Sequence, residues 1–171
     1  MSKRILITYA TYTGSAQIVA DLVSTELGGK GFSTVVMPMW EVKNIKDYDA
    51  VVAGSAIHGG KWLPEAFDFL DMHKDELKSK PFAAFLVCMT MAMKRSDKYL
   101  QFVSDFMIPV REIVKPVSEG HFAGKLEIKK LSSLSDKIRF RISVATGVWK
   151  EGDHINRTEI ARWSDYLSHI L

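Results

Sequence analysis

Two patterns of apolar residues alternate along the chain. Short continuous apolar runs, typical of strands buried on both faces, are followed by stretches in which apolar residues recur every three or four positions, as in amphipathic helices. The runs predict strands at 3–8, 33–37, 50–54, 81–88 and within 114–123, and the periodic stretches predict helices at 15–27, 64–73, 97–107 and 156–171. This alternation predicts an α/β domain with a three-layer, doubly wound, five-stranded parallel sheet.

Length and composition are those of one globular domain spanning residues 1–171. Of the 171 residues, 47% are hydrophobic and 25% are charged, and no apolar run reaches the ~20 residues of a membrane span. The start, "MSKRILITYA", is interpreted as the first strand and not as a signal peptide. A single cysteine, Cys88, predicts no internal disulfide and a reducing, cytoplasmic location. The spacing of histidines and cysteines predicts no metal site, and a net charge of +3 does not indicate nucleic-acid binding.

Residues 125–150 are interpreted as a basic amphipathic segment inserted between the last strand and the last helix. Apolar residues recur there at helical spacing, and they are accompanied by Lys129, Lys130, Lys137, Arg139 and Arg141. Such a stripe can contact an anionic membrane surface through residues 125–143, or attract a substrate that carries carboxylates. The apolar residues of this stripe are Leu131, Leu134, Ile138 and Ile142, and the alternative is an ordinary surface helix packed on its own sheet.

The loop after the first strand, "TYATYTGSA", has the composition of a phosphate site. Thr11, Thr13 and Ser15 supply hydroxyls, and the following helix supplies free backbone N–H groups at its positive end. The loop contains no lysine or arginine, which favours a terminal monophosphate over a triphosphate. A cluster of helix-capping residues is the structural alternative.

Two other phosphate motifs fail in this sequence. "SAIHGGKW" contains Gly60 and Lys61 but has Ser55 and Trp62 where a Walker A loop needs glycine and a magnesium-binding hydroxyl; "GGKGFST" also misplaces its hydroxyls. Only one glycine, Gly14, follows the first strand, so the dinucleotide pattern G-x-G-x-x-G is absent there.

The first loop resembles the flavodoxin-like family, whose T-x-T-G-x-T motif reads here as "TYTGSA" and departs from it at Ala16. The resemblance implies a flavodoxin-like fold that binds FMN, with the phosphate on Thr11, Tyr12, Thr13, Gly14, Ser15 and Ala16. It implies that a second loop lies along the flavin ring, formed by Ser55, Ala56, Ile57, His58, Gly59, Gly60 and Trp62. A third loop, "VCMTMAMKR", would supply Thr90, Met91, Ala92 and Met93, but it has neither the aromatic nor the acidic residues that electron-carrying flavodoxins often place there.

Within that family, three segments resemble the flavodoxin-type protoporphyrinogen oxidases, which are menaquinone-dependent. They are "GSAIHGGKWLPEAFDFL", "FAGKLEIKKLSSL" and "ATGVWKEGDHINRTEIARWSDYLSHIL". The resemblance implies an FMN-dependent oxidoreductase of haem biosynthesis that oxidises a porphyrinogen and passes electrons to a quinone, with peripheral contact at the inner face of the membrane. It carries over no catalytic residue. The alternatives are an electron-transfer protein that serves a redox partner protein, and an NAD(P)H:quinone reductase.

Overall fold

The computed structural model of the chain describes residues 2–93 and 96–171. The strands are β1 (Arg4–Ala10), β2 (Ser33–Pro38), β3 (Ala50–His58), β4 (Lys61–Trp62), β5 (Phe82–Val87), β6 (Ser118–Phe122), β7 (Lys125–Leu126) and β8 (Gly152–Asp153). The helices are α1 (Ser15–Gly29), α2 (Pro64–Lys78), α3 (Leu100–Asp105), α4 (Ile108–Ile113), α5 (Leu134–Ala145) and α6 (Arg157–Ile170).

The main sheet has the predicted parallel architecture. Its strand order is β2-β1-β3-β5-β6, which is the flavodoxin-like order of a doubly wound sheet when the short hairpin strand β4 is set aside. Helix α1 packs against α6, and α2 packs against α4, so helices form the outer layers. The predicted fold class is confirmed.

The core explains why the strands are continuous apolar runs. Ile5, Leu6 and Ile7 of β1 have no exposed surface, since β1 lies in the middle of the sheet with helices on both faces. Gly54 of β3 lies beside Phe85 of β5, and a Cβ atom added at Gly54 would meet the Phe85 ring at 1.9 Å. The close passage of that ring over the backbone therefore requires glycine at position 54.

The helix predicted at 97–107 was wrong in its extent. It is a 3-10 turn at Ser96–Tyr99 followed by the short α3, and a separate helix, α4, follows with Pro109 in its first turn. β3 and α2 continue beyond the predicted bounds 50–54 and 64–73, to His58 and Lys78. The strand predicted within 114–123 is confirmed as β6, which begins after Pro116, a residue with no N–H group to donate to the sheet. The sequence analysis also missed α4 and strands β4, β7 and β8.

The inserted segment packs on loops at the carboxyl ends of the strands. It contains a small antiparallel sheet, β7–β8, a 3-10 turn at Ile128–Lys130, and α5. Its buried apolar residues are Leu126, Ile128 and Leu131, and these form a second apolar cluster with Tyr12, Met89, Phe140, Val144 and Trp149.

The predicted apolar stripe does not hold α5 in place. Leu131 is buried, but Leu134, Ile138 and Ile142 are 72%, 52% and 59% exposed. These three residues therefore do not pack α5 onto the rest of the protein. Among the described residues, no helix combines the length and the apolar character needed to cross a membrane.

Candidate functional site

Two adjoining cavities lie at the carboxyl ends of β1, β3 and β5. Including the space at their mouths, the first encloses about 500 Å³ and the second about 1260 Å³. They are continuous, because both are lined by Ile57, His58, Cys88, Met89 and Phe140. This is the edge of the sheet at which doubly wound folds bind ligands.

The first loop ends in an open helix N-terminus. Gly14 adopts φ +94° and occupies the N-cap position of α1 without a capping side chain, so no side chain occupies the site in front of the first helical N–H groups. No acidic residue lies in the first turn of α1. Such an end can accept an anion through backbone donors and the helix dipole.

The hydroxyls of this loop already accept hydrogen bonds within the protein. The Gly14 N–H donates to Thr11 Oγ1 at 2.9 Å, and the Lys125 N–H donates to Ser15 Oγ at 2.9 Å. Both hydroxyls keep their own hydrogen for donation. Tyr12, Thr13 and Ser15 line the first cavity, whereas Thr11 lines a separate hollow beside Trp40 and Ala16 is fully buried.

The second loop is a tight hairpin between β3 and β4. Gly59 and Gly60 have φ values of +59° and +78°, the pair of positive angles that a two-residue hairpin of this kind requires. His58 pairs with Lys61 across the hairpin, and Ala56, Ile57 and His58 line the first cavity. Ile57, His58 and both glycines line the second.

Two predicted ring-wall residues of this loop have structural surroundings instead. Trp62 is 2% exposed, belongs to the main core and lines neither cavity. Ser55 is fully buried, and its Oγ accepts a hydrogen bond from the Leu63 N–H at 3.0 Å, which fixes the chain ahead of α2. Of the two candidate ring contacts, the site therefore retains His58 but not Trp62.

The third loop forms a 3-10 turn at Met89–Ala92. Met89 and Thr90 line the second cavity, while Met91 packs against the main core, and neither Ala92 nor Met93 is a lining residue. The last two residues of the predicted loop, Lys94 and Arg95, lie outside the described residues. Burial raises the pKa of the Cys88 thiol, as expected for a packing residue and not a nucleophile.

The insert meets the site through a hydrogen-bonded group, here called the Asp136 cluster, that consists of Tyr12, His58 and Asp136. Asp136 Oδ2 accepts from Tyr12 Oη at 3.0 Å and lies 2.9 Å from His58 Nε2. The rings of Tyr12 and His58 stack with their centroids 4.3 Å apart. The hydrogen bond from His58 is the main cause that holds the pKa of the Asp136 carboxyl below its usual range. The cluster thus joins α5 to the first loop through Tyr12 and to the second loop through His58.

Aromatic side chains and one arginine give the second cavity its chemistry. Phe102, Phe106, Phe140 and Trp149 line it together with Arg139. Among the described residues, Arg139 forms no ion pair within 4 Å, so its charge is available to a ligand. This cavity can therefore hold a planar molecule by ring contact and an anionic group by charge.

The site fits FMN in its donor chemistry. The open N-terminus of α1 and the neutral hydroxyls of Thr13 and Ser15 suit a monophosphate. The cavity between the second and third loops suits a flat ring. Sequence reasoning did not assign Gly124, Lys125, Leu126, Leu131 and Phe140 to the site, although they line the first cavity. Position 124 favours glycine, because a Cβ atom there would lie 3.0 Å from side-chain atoms of both Ser15 and Val87.

Comparison with known proteins identifies relatives of the same fold. The family model described as flavodoxin domain matches residues 6–147. A Streptococcus pneumonia TIGR4 flavodoxin is similar at 18% identity with a TM-score of 0.61, covering 98% of this chain and 99% of its own. A Fusobacterium nucleatum flavodoxin bound to flavin mononucleotide is similar at 13% identity with a TM-score of 0.60, covering 99% of each chain. Oxidised Flavodoxin 2 from Bacillus cereus is similar at 25% identity with a TM-score of 0.53, covering 84% of this chain and 99% of its own. No curated protein sequence matches the chain.

Proposed function

The chain belongs to the flavodoxin domain family, and we propose that it is an FMN-dependent oxidoreductase that oxidises a planar, carboxylate-bearing substrate of the porphyrinogen class and passes the electrons to a quinone. FMN is the cofactor that the family and the chemistry of the site both indicate. When bound, it supplies the oxidising power, and the protein supplies binding, orientation and electrostatics.

The binding roles follow from the two cavities. The N–H groups at the start of α1, with Thr13 and Ser15, would hold the phosphate. The Gly59–Gly60 hairpin and Thr90 would lie along the ring. Both line the second cavity, and they follow the neighbouring strands β3 and β5.

The observation that carries the oxidoreductase proposal is the lining of the second cavity. Four aromatic rings and Arg139 line it, which suits a planar molecule with an anionic substituent beside the flavin ring.

The position of the insert also supports a small-molecule substrate. Leu131 and Phe140 line the first cavity, and the Asp136 cluster fastens α5 across the loops that would hold FMN. A segment in this position limits the approach of a large partner protein.

Contact with an anionic membrane is a further part of this proposal. The outer face of α5 exposes Leu134, Ile138 and Ile142 beside Lys137 and Arg141, a combination that suits adsorption to a membrane surface. Replacing Leu134 and Ile142 with serine should reduce co-sedimentation with phosphatidylglycerol vesicles. Met72→Ser, which alters a 72% exposed methionine on α2, is the control, and equal binding by all three proteins would contradict membrane contact.

The second candidate is an electron carrier without its own substrate. The solved structures that the chain resembles favour it, because they are flavodoxins, but likeness at this identity extends to the fold alone. An NAD(P)H:quinone reductase is a third candidate, and it would use the same second cavity for the nicotinamide ring.

An anaerobic assay of the FMN-loaded protein separates the three candidates. Protoporphyrinogen IX, NADPH and NADH are tested as donors, each with and without menadione, and a flavodoxin reductase is tested as a one-electron donor. The proposal expects turnover with the porphyrinogen and quinone. Exchange with the reductase alone would establish the carrier, and turnover with a nicotinamide donor would establish the third candidate.

The same assay tests substrate recognition by charge. Arg139→Gln should raise KM for the porphyrinogen by about 10-fold, since a charged hydrogen bond is worth about 1.5–3 kcal/mol before solvent exposure reduces it. Arg162→Gln, on the exposed face of α6, is the matched control. Equal KM values for the two variants would remove Arg139 from the proposal.

A further inference from the structure

The Asp136 cluster contains a histidine whose two ring nitrogens have different surroundings. Nε2 of His58 lies 2.9 Å from Asp136 Oδ2. The Asp136 side chain is 10% exposed and also accepts from Tyr12, so its oxygens are acceptors for both neighbours. An ionised carboxylate has no hydrogen to donate, and Nε2 must therefore carry the proton of this contact.

A fixed proton on Nε2 leaves Nδ1 of a neutral His58 with the free lone pair. Within the described residues, the ring of His58 makes no hydrogen bond other than the one to Asp136. The side chain is 45% exposed and lines both cavities, immediately before the Gly59–Gly60 hairpin. Stacking against Tyr12 further restricts rotation of the ring.

We propose that His58 Nδ1 is the base that accepts a proton from the substrate, and that Asp136 is a positioning residue that holds the imidazole in the Nε2–H tautomer. This inference rests on the proposed function for its substrate. In each two-electron oxidation the substrate loses two electrons and two protons. The two electrons and one proton go to FMN, and the second proton goes to Nδ1, which later releases it to solvent through the exposed side of the ring.

The arrangement resembles general-base catalysis by a carboxylate-supported histidine. Other ionisable groups lie on the elements that surround the His58 ring, and their charges also influence how the reaction rate depends on pH. They are Tyr12, Lys61, Cys88, Lys125 and Arg139. In acid, protonation of Asp136 would remove the acceptor that holds His58 in the Nε2–H tautomer. The proposal therefore expects the base to act only where the Asp136 carboxylate is ionised.

The first test uses protein without FMN. Long-range ¹H–¹⁵N correlation spectra of the histidine side chains report which ring nitrogen carries the proton, with His58→Gln used to assign the signals. The expected result is the Nε2–H tautomer in the wild type and a mixture of tautomers in Asp136→Asn. An Nδ1–H tautomer in the wild type would overturn the proposal regardless of any activity.

The second test follows protons in the FMN-loaded protein without a substrate. The two-electron reduction midpoint is measured from pH 5 to 9, and its pH dependence should show an inflection that requires the His58 side chain. That inflection should be absent in His58→Gln and moved in Asp136→Asn. Persistence of the inflection in His58→Gln would overturn the proposal.

The third test is turnover, with the alternatives kept distinct. His58→Gln should lower kcat/KM on the order of 10²-fold. Asp136→Asn should displace the acidic limb of the pH–rate profile, and Tyr12→Phe, which removes one of the hydrogen bonds that lower the pKa of Asp136, should displace it to a smaller extent. If the wild type turns over no donor, the proposed function fails while the first two tests still decide the role of His58. If the wild type turns over and His58→Gln is unaffected, the base assignment fails alone.

Discussion

Glycine at position 54 supports the central strand of the site, and its replacement by alanine gives a sharp test of the packing. In Gly54→Ala the new methyl group would lie 1.9–2.3 Å from three atoms of the Phe85 ring. The Phe85 ring is fully buried and contacts Phe122 and Trp163 at centroid distances of 6.2 Å each, so it cannot move aside without displacing them.

The expected cost is at the upper end of the range for overpacking. Inserting a methyl group into a packed core typically costs about 1–3 kcal/mol. Because the overlaps involve a buried ring and not the end of a flexible side chain, we expect about 3 kcal/mol. For a chain of this size that corresponds to a decrease in Tm of roughly 6–12 °C.

The assay is a double-mutant cycle by urea denaturation with Gly54→Ala, Phe85→Leu and the double variant. Leucine at position 85 removes the clashing ring, so the double variant should be at least about 1 kcal/mol more stable than the sum of the single changes indicates. Gly28→Ala is the matched control, because nothing lies within 4 Å of the added methyl group and the residue is helical. The control should be stabilised by about 0.5–1 kcal/mol. Additive effects of the changes at 54 and 85 would refute the packing argument.

Three further predictions concern the site. Gly14→Asp should weaken FMN binding on the order of 10²-fold or more, because it places a carboxylate at the phosphate site; Gly14→Asn is the neutral control, and fluorescence titration of FMN measures both. The depressed pKa of Asp136 stabilises the folded insert above about pH 5, and this contribution is lost as the pH falls through the folded-state pKa. The hydrogen-exchange protection factors of residues 125–150 should therefore fall in acid, but much less so in Asp136→Ala, where they should already be low at pH 7. Cys88 should react with a thiol reagent about 10²-fold more slowly in native protein than in urea, because its thiol is buried and its pKa is raised; equal rates would contradict that burial.

The sheet was predictable because its physical requirement appears directly in the sequence. A strand buried on both faces needs an uninterrupted apolar run, and "RILITYA" and "FAAFLV" supply it. The Gly59–Gly60 hairpin was not predicted, although the two glycines are the residues that its two consecutive positive φ angles require. In each case a short sequence satisfies a local demand.

The orientation of α5 was not predictable from apolar periodicity. Leu134, Ile138 and Ile142 follow helical spacing and suggest an inward face, yet all three are exposed. The residues that face the site are Asp136 and Phe140, also four apart. A hydrogen-bonded carboxylate can fix a helix as firmly as a leucine does. Its partners Tyr12 and His58 lie 124 and 78 residues away in the sequence, so helical periodicity could not reveal them. Trp62 illustrates the reverse case, because an aromatic beside a glycine hairpin suits ring stacking and core packing equally until the fold is known.

The two faces of α5 together bear on which electron acceptor the protein can use. A carrier needs the edge of its flavin exposed to a partner, whereas here the inner face of α5 lies over the cavities through Asp136 and Phe140. The outer face presents apolar and basic residues, which are the groups that would bring the site to a membrane where quinones dissolve. If one helix serves both ends, loosening its inner face should impair oxidation of a water-soluble quinone as well as a lipid one, while altering its outer face should impair only the lipid quinone. Asp136→Ala and the Leu134→Ser/Ile142→Ser variant supply that comparison, and equal loss with both quinones for the outer-face variant would show that α5 contributes to the cavity alone.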